Sequence, residues 1–229
     1  MKITDLKDKH KNSECVVLTC GPSLNEYSRE KVRDFCKGKI VICVKEAVIE
    51  FADICDYHIV NGTRMRSYNI PDTVITIFQS NNREIKSNYD IIVYEHKNFC
   101  INNQLLRLKN FEAYNFDNNL ERPWGPGILY ETVFYLCLYM GIKCVYTIGW
   151  DLIDTNSKIN ITHYFDDYND ADYKSSQRWA KNHNFKSEMK FVNDNIEYMY
   201  EYLKNKGMDL VVIGETSFVN DKIPRKILD

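Results

Sequence analysis

The residues with most chemistry to offer sit in short polar stretches that follow apolar runs. Cys20-Gly21-Pro22-Ser23-Leu24 follows the apolar run 15–18 and precedes a mixed segment, 25–35, that reads as a helix. A buried strand that turns through Gly and Pro into a helix gathers backbone N–H groups at one point, a seat for a phosphate. Gly21 lets backbone approach a ligand closely, Pro22 fixes the turn, and Ser23 supplies a hydroxyl and a helix cap. The turn alone fits equally well the first strand-to-helix connection of any α/β domain. Lys45 follows a second apolar run (40–44), Asn61 a third (57–60) and Asp151 a later one (143–148). Each is a polar group at the end of a candidate strand. His163 with Tyr164 lies in a long polar stretch, and an imidazole titrating near its usual value of about 6.5 can take a proton from a hydroxyl at neutral pH.

Other candidate groups carry less. His58 falls inside a strand pattern and reads as packed, while His10, His96 and His183 read as surface residues. Asp170-Ala171-Asp172 has the form of a metal-binding DxD, but it lies in a polar loop and not at a strand end, so chance explains it better. Arg64 and Arg66 beside Asn61 suit an anionic substrate or a solvated surface. Trp124 and Trp150 suit stacking on a sugar or base as well as they suit a core. Eight cysteines show no CxxC or Cys/His spacing for zinc, and Cys15, Cys43, Cys137 and Cys144 sit in apolar runs. They read as reduced thiols of a cytosolic protein with no metal site.

The elements that must position these groups alternate. Further strands are expected at 73–78, 90–94 and 209–213, and helices at 46–52, 128–140 and 184–205. The rhythm predicts an α/β fold: a single doubly wound, mainly parallel, Rossmann-like sheet with helices on both faces. In such sheets ligands bind beyond the carboxyl ends of the strands, where Cys20, Lys45 and Asn61 all fall. The helix 128–140 is apolar nearly all round and should be sandwiched in the core. Residues 152–184, about, have few apolar anchors and read as a lid inserted into one domain spanning 1–229.

Length and charge agree. A chain of 229 residues buries one sizeable core, and a net charge of −2 gives no bulk attraction to nucleic acid or anionic membrane. The N-terminus is too polar for a signal peptide, and no apolar run is long enough to span a bilayer. The expected location is the cytoplasm. The oligomeric state is open, a homo-oligomer included.

In their order along the chain, four features resemble the bacterial sialyltransferases that decorate lipooligosaccharide. They are a strand running into GPSL, a Gly turn opening the helix of GPGILYETVFYLCLYMG with a strand ending GWD, a His-Tyr pair in a loop, and a final strand ending GETS. The resemblance implies inverting, metal-independent transfer of a sugar from a CMP-linked donor, without a cofactor, to a glycan acceptor. That acceptor or its lipid carrier could hold the protein peripherally at a membrane. By resemblance, Cys20, Gly21, Pro22, Ser23, Leu24, Lys45, Asn61, Gly127 and Asp151 bind the donor. His163 is the base and Tyr164 its catalytic neighbour. The chain departs from the family pattern at Cys20 and Lys45, where asparagines are expected, and at Pro126, where a serine is. Residues 152–162 contain no tyrosine to stabilise the leaving phosphate, a role left to Tyr164 and Tyr168.

Two alternatives stand beside this reading. The GPSL turn also occurs in Rossmann-like pyrophosphokinases, which need acidic residues for magnesium at strand ends, and here only Asp151 is so placed. A non-catalytic nucleotide- or glycan-binding module would explain the altered positions and missing tyrosines.

Overall fold

The computed structural model describes residues 3–61, 68–80, 91–95, 129–152, 163–165 and 185–229. Among the described residues eight strands form one sheet: β1 (Glu14–Leu18), β2 (Ile40–Val44), β3 (Tyr57–Asn61), β4 (Ile75–Ser80), β5 (Ile91–Glu95), β6 (Cys144–Ile148), β7 (Asp209–Ile213) and β8 (Arg225–Lys226). Their order is β5-β4-β3-β2-β1-β6-β7-β8, and every pairing is parallel. The chain therefore steps outward from β1 to β5 and returns to lay β6 against the other side of β1. The point where the direction reverses lies between β1 and β6.

The apolar runs explain the layers. A strand covered on both faces needs nonpolar residues at successive positions, and β1, β2 and β7 read ECVVL, IVICV and DLVVI. In β1, Cys15 and Val17 enter one core, while Val16 and Leu18 enter the other. The first core is closed by α3 (Phe134–Tyr139) and α4 (Phe185–Asn205), and the second by α1 (Arg29–Cys36) and α2 (Ala47–Phe51). The expected doubly wound parallel sheet is thus what the chain forms.

Three elements differ from expectation. The helix expected at 25–35 is two pieces: a 3-10 turn at Pro22–Glu26, an extended Tyr27 at φ −122° and ψ 144°, and then α1. Pro22 begins a tight turn, and Ser28 starts the longer helix anew, its Oγ accepting the Lys31 amide at 3.2 Å. The capping role expected of Ser23 belongs to Ser28. The helix expected at 128–140 opens with a π-helical turn, Leu129–Val133, before α3. Its neighbours Val133, Phe134, Leu136 and Cys137 are fully buried, as an all-apolar helix should be. The basic tail adds β8, with the Val212 amide donating to the Pro224 carbonyl at 2.8 Å and the Gly214 amide to the Lys226 carbonyl at 3.1 Å.

Candidate functional site

At the reversal point the ends of β1 and β6 are drawn together by backbone contact. The Thr19 amide donates to the Ile148 carbonyl at 2.9 Å and the Gly21 amide to the Gly149 carbonyl at 2.8 Å. The approach requires glycine on both sides. A Cβ on Gly21 would stand 2.2 Å from the Gly149 oxygen, and Gly149, at φ +77°, would place one 2.7 Å from the Thr19 oxygen.

Asp151 follows directly. Its Oδ2 accepts the Ser23 amide at 2.6 Å, and its Oδ1 is buried without a hydrogen-bond partner, as is Ser23 Oγ. Burial pushes the Asp151 carboxyl above the usual carboxylate range, against the Ser23 amide, which pulls it back. The turn therefore differs from the open phosphate seat expected of it. Gly21 N–H is spent on Gly149, Ser23 N–H on Asp151 and Leu24 N–H on the Gly21 carbonyl at 3.2 Å, while Pro22 has none. Leu24 is fully buried and belongs to the core, so its side chain is closed to a donor.

A second carboxylate fills the next turn. Glu26, from the 3-10 turn after β1, accepts the Glu215 amide at 2.7 Å and the Thr216 amide at 2.8 Å, together with the Thr216 hydroxyl. The Gly214-Glu215-Thr216-Ser217 turn after β7 is thereby tied to the turn after β1. Ser217 Oγ donates to the Trp150 carbonyl at 2.7 Å, linking β6 to the same cluster.

On the β2 side the cation of interest is held by its backbone. Lys45 has φ +51°, a left-handed conformation rare outside glycine. Its amide donates to the Ile59 carbonyl at 2.9 Å, and its carbonyl meets His58 Nε2 at 3.0 Å. His58 is fully buried, and burial lowers its pKa to about 4, so the ring is neutral and Nε2 carries the proton that Lys45 accepts. The packed role expected of His58 is what it has. Cys20 completes this corner: its Sγ donates to the Val44 carbonyl at 3.3 Å and lies 3.8 Å from Glu46 Oε2. Burial and the Glu46 carboxylate push that thiol well above its usual range and keep it protonated, with Lys45 opposing.

The His163 segment docks on this corner. The Tyr164 amide donates to the Cys20 carbonyl at 2.8 Å, and the Tyr164 hydroxyl donates to the Glu46 carbonyl at 3.1 Å. His163 is half-buried and stacks on the buried Phe165 ring at 4.8 Å, with 20° between the planes. Sequence-expected Cys20, Gly21, Ser23, Lys45, Asp151 and His163 are thus gathered at one end of the sheet, with Asn61 the last residue of β3 at the same end. Tyr164, expected as the catalytic neighbour of His163, has a ring 2% exposed and a hydroxyl bound to the Glu46 carbonyl, and so anchors the segment. Trp150 is likewise a core residue, against Phe134 at 5.1 Å. Gly127, Arg64, Arg66, Trp124, Pro126, Tyr168, Asp170, Asp172 and nearly all of the lid at 152–184 lie outside the described residues.

Sequence reasoning overlooked Asn25, Glu26, Arg29 and Glu46. The signal for Glu46 was available, an acid beside a strand end opening an apolar helix; in the structure it is only 3% exposed. Asn25 and Glu26 carried no signal beyond adjacency to the GPSL turn. Among the described residues no group of three or more His, Cys, Asp or Glu is placed to hold a metal ion, and no helix is long and apolar enough to cross a membrane.

An open parallel sheet whose polar groups meet beyond the strand ends at a reversal of strand order is a Rossmann-like architecture. Comparison with solved structures makes the likeness particular. The chain is similar in fold to a point variant of the sialyltransferase CST-II in complex with CMP, with a TM-score of 0.53 and 12% identity over 93% of this chain and 86% of that one. The sialyltransferase CstII from Campylobacter jejuni, in complex with the substrate analogue cytidine-5'-monophosphate, also aligns, at 13% identity and a TM-score of 0.49 over 94% and 85%. No protein-family model and no curated protein sequence matches the chain.

Proposed function

We propose that this chain is a sialyltransferase-like glycosyltransferase that moves a sugar from a CMP-linked donor to a glycan acceptor. The observation that carries the reading is the docking of His163-Tyr164 onto Cys20, at the strand ends of a fold shared with a CMP-bound sialyltransferase. In this reaction the acceptor hydroxyl oxygen attacks the anomeric carbon and gives its proton to His163. The bond from that carbon to the donor phosphate breaks, and CMP departs with the electron pair, inverting the configuration. By resemblance the displacement needs no metal and no cofactor. Because the turn amides are engaged internally, the phosphate charge is met by Lys45 at the end of β2, and electrostatic stabilisation there is the largest catalytic contribution.

The experiment is titration calorimetry with CMP, UDP and GDP, followed by transfer assays from CMP-sialic acid. CMP should bind, and His163→Ala should lower transfer about 100-fold or more with CMP affinity within about twofold. Absence of heat with every nucleotide would falsify the reading. One observation favours a second reading, the non-catalytic nucleotide- or glycan-binding module: the carboxylates of Asp151 and Glu26 already fill the amide seats. CMP binding with no transfer by the native chain would decide for it.

A further inference from the structure

The contacts that hold the main chain of residue 164 come from the segment just after β1. Besides the Tyr164 amide on the Cys20 carbonyl, Asn25 Nδ2 donates to the Tyr164 carbonyl at 2.8 Å. Asn25 Oδ1 in turn accepts Arg29 NH2 at 3.0 Å, and Arg29 NH1 donates to the Leu24 carbonyl at 3.3 Å. The arginine can only donate, so it fixes which way the Asn25 amide points and leaves Nδ2 for Tyr164. The Arg29 guanidinium also lies over the Tyr164 ring, 5.4 Å from its centre. With both main-chain groups of Tyr164 bound, the peptide planes on either side are fixed. His163 hangs from one of them and stacks on Phe165 at the other.

We propose that Asn25 is a positioning residue for His163: it clasps the Tyr164 carbonyl and so sets where the imidazole stands relative to the strand ends. The inference rests on His163 being the base proposed above. Asn25 is exposed and outside both cores, so the clasp is separable from folding. It also means that the turn after β1 and the base are one mechanical unit, joined through Cys20 and Asn25, five positions apart.

The test uses the full chain and Asn25→Asp, which keeps the shape and the Arg29 partner but has no N–H for Tyr164. Asn25→Gln, which retains an amide donor on a longer arm, serves as the rescue. Loss of one net hydrogen bond should raise hydrogen exchange at the Tyr164 amide about tenfold and lower kcat about tenfold. KM for the CMP-linked donor, CMP affinity and the thermal midpoint should stay unchanged, and Asn25→Gln should recover part of kcat. Unchanged kcat and unchanged exchange in Asn25→Asp would overturn the inference, as would a joint fall of kcat, CMP affinity and midpoint. If His163→Ala leaves transfer intact, the base assignment has failed. Exchange at Tyr164 then decides the clasp by itself, faster exchange upholding it and unchanged exchange overturning it.

Discussion

A buried neutral histidine and a buried carboxyl give the site opposite responses to acid. The unfolded chain protonates His58 near 6.5, whereas the folded chain resists until about 4. A folded pKa below the unfolded one means that stability is complete above 6.5 and is lost as pH falls through that window, by up to about 3 kcal/mol. His10, also lowered by burial, adds in the same direction. His58→Gln keeps a donor for the Lys45 carbonyl and should flatten the slope, as urea unfolding between pH 4.5 and 7 would register in one series. Asp151 has the reverse sign. Its folded pKa is raised, so its buried charge is a cost at neutral pH that fades as pH falls through the folded pKa. Asp151→Asn should melt at or above the native chain at pH 7, each 1 kcal/mol recovered appearing as roughly 2–4 °C. The two curves should converge in acid. A lower midpoint at pH 7 would show that the Ser23 hydrogen bond outweighs desolvation.

The turns are where sequence and structure part company. Strand positions were legible because a parallel strand needs an unbroken apolar run: 40–44 and 209–213 match β2 and β7 to the residue, and the five other expected strands lie within two. The split before α1 was not legible, since Tyr27 and Ser28 suit a helix as well as a break. Nor was the filling of the turns by Asp151 and Glu26, because contacts 128 and 189 residues apart leave no local pattern. Glu26→Ala tests the second staple. It should raise exchange at the Glu215 and Thr216 amides and cost about 1 kcal/mol, the net of exposed hydrogen bonds. Unaltered exchange at both amides would mean that the turn after β7 holds itself.

Across the whole molecule, β8 and the last buried side chain finish the sheet. Arg225 NH1 donates to the Gly214 carbonyl at 2.9 Å, and Leu228 is 8% exposed in the core on the α1 side. A chain cut after Asn220 would bare the Val212 and Gly214 amides along β7, an edge open to pairing with other chains. It should lose several kcal/mol and self-associate, measurable by urea unfolding and light scattering. A monodisperse truncate of native stability would contradict this. The parallel sheet with helices on both faces was legible in outline; β8 was not, because two residues are too short to show a period.

At position 45 the backbone and the side chain ask for different residues. A left-handed backbone there suits Gly or Asn and disfavours a long side chain by about 1 kcal/mol. Lysine stands there against that local preference, so its ammonium group is carried on a backbone that glycine would relax.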